Sequence, residues 1–91
     1  MDIPERLINT KERFVAEGDF ITFKHTILNE YKGALEKYTN GSTSYENDII
    51  MLTDFYINTV DENKNLISTN DYKEVCEHIK KMKLRRKIIR F

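Results

Sequence analysis

Apolar residues recur along this chain at the three-to-four-residue spacing of an α-helix, not at the two-residue spacing of a strand. A first helix is expected over about residues 3–16, where Ile3, Leu7, Ile8, Phe14 and Val15 share a face. Asp2 and Glu5 have the form of a capping box, Pro4 suits a first turn, and Gly18 supplies a stop. A second helix, over 20–39, carries the strongest stripe: Phe20, Phe23, Ile27, Tyr31, Leu35 and Tyr38, widened by Ile21, Leu28 and Ala34. Asp19 is its expected cap and Asn40-Gly41 its stop.

A third helix is expected over 44–60, with Thr43 and Glu46 as a second capping box and Tyr45, Ile49, Leu52, Phe55, Tyr56 and Val60 as its buried face. The polar run 61–65 reads as a loop, after which Leu66 and Ile67 turn toward the core. A fourth helix is expected to start near Asn70 or Asp71 and to run to about residue 90. Short connections favour antiparallel neighbours, so the expected fold is all-α: one compact, antiparallel four-helix bundle-like domain over 1–91. Three glycines and one proline argue against a turn-rich β fold, and a 40% hydrophobic content is too high for a disordered chain.

The fourth helix departs from the simple pattern. With successive residues about 100° apart, Tyr72, Val75, Ile79, Met82 and Ile89 fall on one side, and Leu84, Ile88 and Phe91 fall nearly opposite. One side can pack on the bundle. The other has no intramolecular partner, and each large apolar side chain left in water forgoes roughly 1.5–3 kcal/mol of burial. An apolar patch edged with charge marks a contact surface. Two alternatives compete with this reading. The helix ends near Met82 and the Lys-Ile-Ile-Arg-Phe tail packs as an extended piece, or the basic end folds back onto the rest of the chain.

Charge sharpens the picture. The formal net charge is zero. Residues 80–91 nevertheless hold seven basic and no acidic residues, leaving eight basic against fifteen acidic residues, a net of −7, in 1–79. An acidic body with a basic end suits an anionic partner. Nucleic acid is one such partner, with Lys80, Lys81, Lys83, Arg85, Arg86, Lys87 and Arg90 as phosphate contacts. The sequence pI of about 6.7 and the lack of zinc-finger spacing, an aromatic ribonucleoprotein motif or a recognition-helix pair argue against it.

Signals for catalysis are sparse. His25 and His78 stand apart without metal-ligand spacing; His25 borders the apolar stripe of the second helix, and His78 is expected to face solvent. Cys76 is expected near the core face as a small buried hydrophobe. As a lone cysteine it fits a reducing, cytoplasmic setting. No leader pattern opens the chain, and no apolar run reaches the ~20 residues that cross a bilayer. Neither an enzyme, a cofactor nor a metal is expected.

Two resemblances add to this reading. Residues 61–71, with oxygens at Asp61, Asn63, Asn65, Ser68 and Asp71, resemble an EF-hand loop that has lost its central glycine and its final glutamate. Residues 19–23 look like the exit half of a second, shortened loop. This implies a degenerate EF-hand-like module. The tail pattern Tyr72-Lys73 followed by residues 84–88 resembles the ends of small helical proteins from phages of Gram-positive bacteria, which implies a mobile-element origin.

The expected function is non-catalytic binding of a macromolecular partner, a protein or a second copy of this chain, as a stoichiometric inhibitor, adaptor or regulatory subunit. Leu84, Ile88 and Phe91 would supply apolar contact, and Arg85, Arg86, Lys87 and Arg90 steering. Nucleic-acid binding through the same segment is the alternative; a membrane is not an expected partner.

Overall fold

In the computed structural model, which describes residues 3–89, four helices follow one another: α1 (Glu5–Glu17), α2 (Phe20–Thr39), α3 (Glu46–Glu62) and α4 (Thr69–Ile89). Short 3-10 turns, Thr43–Tyr45 and Lys64–Leu66, lead into α3 and out of it. Each helix packs on the next in an antiparallel, bundle-like arrangement measuring 38 × 26 × 17 Å.

The reversals follow from local chemistry. Gly18 takes φ 74°, a left-handed conformation that glycine adopts without a Cβ penalty, and its N–H donates to the Phe14 carbonyl at 2.8 Å. Asp19 then caps α2, its carboxylate accepting from the Thr22 N–H at 3.2 Å. Gly41, at φ 102°, turns the chain after α2.

The core is organised around Phe23. Its ring lies 5.5 Å from that of Phe14 on α1, and 6.0 and 5.9 Å from those of Phe55 and Tyr56 on α3. Aromatic contacts in this range add to the apolar burial itself. Leu7, Phe20, Ile27, Ile49, Leu52 and Val60 complete the packing, and α4 contributes Val75 and Met82. The stripes expected from the sequence largely form the buried faces of α2 and α3, but Ile21 is exposed, Tyr45 sits in the turn before α3, and Ile8 and Val15, expected on the apolar face of α1, are exposed as well.

Several local expectations are corrected. Thr43 does not cap α3 with its side chain; it opens a 3-10 turn instead, and α3 begins at Glu46 and extends to Glu62. The fourth helix starts at Thr69, one residue before the expected Asn70, and the Ser68 hydroxyl accepts from the Asp71 N–H at 3.2 Å. Leu66 stays substantially exposed while Ile67 packs on the core. Asp2, the expected cap of α1, lies outside the described residues.

Candidate interaction surface

The site is built on the second half of α4. Val75 and Met82 are buried, and Tyr72 and Ile79 are half-buried on the same side. The helix continues without a break to Ile89, so no extended tail forms among the described residues. Because the helix stays regular, the opposite flank must point away from the bundle: Leu84 is 63% and Ile88 69% exposed, the two most exposed large apolar side chains among the described residues. The side chain of Ile89, together with Arg90 and Phe91, lies outside the described residues, so the surface as observed rests on Leu84 and Ile88.

From Lys80 onward the charge around this flank is positive, with the exposed Glu77 one turn before Lys81 on the same face. Lys80, Lys81, Lys83, Arg85 and Lys87 are exposed, and among the described residues none is seen in an ion pair. Arg86 differs. It is half-buried and its guanidinium pairs with Asp54 on α3. Among the described residues, the basic end reaches back to the acidic body through Arg86. Arg86 therefore belongs to the internal face of α4 and leaves the set expected to meet a partner. Arg86 and Lys87 also sit in the last turn, where positive charge complements the carbonyl end of the helix.

Further along α4 the surface continues as a shallow groove. Ile57, Tyr72, Cys76 and Ile79 line an open cleft of about 330 Å³ between α3 and α4, edged by Asp61, Lys80 and Lys83. Tyr72 and Cys76 also border a neighbouring hollow with Ile67, Lys64, Lys73 and Glu77. Cys76 is exposed, contrary to expectation. It lies about 100° from Val75 around the helix, enough to carry it over the edge of the buried stripe.

The remaining sequence candidates do not converge. His25 is exposed on α2, whereas His78 is half-buried with Nδ1 enclosed and no protein partner among the described residues. The expectation that His78 faces solvent is corrected: it points toward the α4 flank that meets the bundle. Among the described residues no group of three His, Cys, Asp or Glu side chains is placed to hold a metal. In the calcium-loop-like segment, Asp61 belongs to α3, the Asn63 amide donates to the Thr59 carbonyl at 2.9 Å, and Ser68 caps α4. The Lys64 ammonium lies 3.9 Å from Asp61. These polar side chains serve helix ends.

Sequence reasoning missed one polar cluster. Lys24 is buried on α2 and its ammonium reaches the Glu74 carboxylate on α4 at 3.2 Å. Lys24 stands between Phe20 and Ile27 in the apolar stripe; its aliphatic stem packs there while its head reaches out. Burial, with the Glu74 charge as a smaller contribution, pushes the nearby Tyr56 hydroxyl well above its ordinary range.

Among the described residues no helix is long and apolar enough to cross a membrane. Comparison with protein-family models, curated proteins and solved structures finds no significant match.

Proposed function

We propose that this chain is a non-catalytic binding protein that docks on a protein partner through the outer flank of α4. It would act stoichiometrically, as an inhibitor, adaptor or regulatory subunit. The supporting observation is the pairing of Leu84 and Ile88, both largely in water, with Arg85 and Lys87, cations on the same exposed turns. Leu84 and Ile88 lie one turn apart, the spacing by which a helix inserts two anchors into a partner's groove. The cations steer encounter with an acidic surface.

The test is capture from the source cells by the full chain, identification of the captured protein, and reconstitution with purified components by calorimetry. A defined molar ratio, with binding lost in Leu84→Glu/Ile88→Glu, is the expected result. Equal binding by that variant overturns the proposal.

Nucleic-acid binding is a second reading, favoured by the exposed cations Lys80, Lys81, Lys83, Arg85 and Lys87 on α4. It predicts steep weakening with salt and sensitivity to Arg85→Glu and Lys87→Glu more than to loss of Leu84 and Ile88. The excess of acid in residues 1–79 weighs against it.

A further inference from the structure

We infer that the partner of the α4 flank is a second copy of this chain, whose α1 outer face receives it. This rests on the reading of the α4 end as a docking surface and names its occupant.

The receiving face is visible on α1. Glu5, Ile8, Glu12 and Val15 follow one another at spacings of three, four and three, which places them on one stripe of a helix. Ile8 is 40% and Val15 47% exposed. Glu5 and Glu12 are exposed, and neither is seen in an ion pair among the described residues. The bases of α1 are occupied elsewhere: Arg6 pairs with Glu30, Arg13 lies 3.6 Å from Glu17 and 4.0 Å from Asp19, and the Lys11 ammonium sits 5.5 Å from the centre of the Phe55 ring. What α1 offers outward along this stripe is therefore acidic and apolar.

The α4 flank offers the complement. Lys81, Leu84, Arg85 and Ile88 alternate cation and apolar side chain along α4. At the helical rise of about 1.5 Å per residue, the α1 stripe spans about 15 Å from Glu5 to Val15 and the α4 stripe about 10 Å from Lys81 to Ile88. The charges are complementary. The pairing cannot be made within one molecule, because Leu84 and Ile88 face away from the side of α4 that Val75 and Met82 bury.

One such contact is small beside the ~1,200 Å² of a stable interface. Two reciprocal contacts, α1 to α4 and α4 to α1, double it and close a dimer with two-fold symmetry. The association is accordingly weak and salt-sensitive, since its charges lie at the rim.

Sedimentation equilibrium over about 10 µM to 1 mM protein, at ~50 and ~500 mM salt, reads the result. The average mass should climb above the 10.9 kDa monomer at low salt, with at least tenfold weaker association at high salt. Glu5→Lys/Glu12→Lys makes both stripes basic, and Lys81→Glu/Arg85→Glu makes both acidic. Each variant alone should be monomeric, and their equimolar mixture should associate. All four positions are exposed, so folding should survive, as checked by circular dichroism. If a charge variant does not fold, Ile8→Ser/Val15→Ser and Leu84→Ser/Ile88→Ser carry the same test, each lowering association at least tenfold. A wild-type chain that stays monomeric throughout, or a mixture no heavier than its components, overturns the inference. If that chain still captures a partner through Leu84 and Ile88, the docking reading stands and only self-association falls.

Discussion

Met82 and Leu84 stand two residues apart on α4, and one is 2% exposed while the other is 63% exposed. Two residues turn a helix by about 200°, so a continuous helix that buries the first must present the second to water. The relationship separates what α4 does for the fold from what it offers outward.

The two residues should therefore differ in their effect on stability. Met82→Ala leaves a cavity against the bundle and is expected to cost about 2–5 kcal/mol. Leu84→Ala should stay within about 0.5 kcal/mol of the parent, as for other surface changes. Urea unfolding followed by circular dichroism measures both.

The pairing of buried Lys24 with half-exposed Glu74 predicts an asymmetry. Glu74→Ala leaves the Lys24 charge enclosed without its partner. Because Glu74 is itself about half exposed, the expected loss is about 1–2 kcal/mol, below that of a fully buried pair. Lys24→Met removes the charge and keeps the apolar stem, and should be neutral or stabilising. Equal losses in the two variants would count against this account of the pair.

Tyr56 is fully buried, and its hydroxyl has no protein partner among the described residues. Tyr56→Phe should be at least as stable as the parent, since it removes an enclosed polar atom and keeps the ring. Burial raises the folded-state pKa above the ordinary 10.0. The folded chain therefore holds this proton more tightly than the unfolded chain does. The associated stability is whole below pH 10.0 and is lost as pH rises above it. Denaturant midpoints from neutral to alkaline pH should fall less steeply in Tyr56→Phe.

At the other end of the pH scale, hydrogen bonds from Thr22, its side chain and then its backbone N–H, hold the Asp19 carboxyl below its ordinary 3.8 against some opposing burial, and Arg13 adds a smaller pull. The stability this supplies is present above pH 3.8 and is lost as pH falls through the lower folded value. Asp19→Ala should lower the melting temperature at neutral pH and flatten its decline in acid, whereas Asp19→Ser should keep most of the cap. Thermal melts at a series of acid pH values check both.

Much of the fold was legible in the residues themselves. Gly18 with Asp19, and Asn40 with Gly41, mark breaks that the structure places where left-handed glycine and an aspartate cap require them. The unbroken stripe of Phe20, Phe23, Ile27 and Tyr31 located the centre of the core. Periodicity was weaker at the edges of a stripe, where a small error in helical phase decides exposure; Cys76 and His78 were misplaced for this reason. Helix starts were misread where hydroxyl groups cluster, as at Thr43 and Ser68, because several residues could serve as caps. The opposed flanks of α4 followed from angular position alone. The Arg86–Asp54 pair did not, because it joins residues 32 positions apart through tertiary packing.

The most direct test of the α4 surface is methyl NMR of the dilute, monomeric chain with a soluble paramagnetic probe. Methyl groups of Leu84 and Ile88 should relax strongly, while those of Val75 and Met82 stay protected. Equal protection of all four would show that the chain shields both flanks of α4 by itself, and would contradict the account.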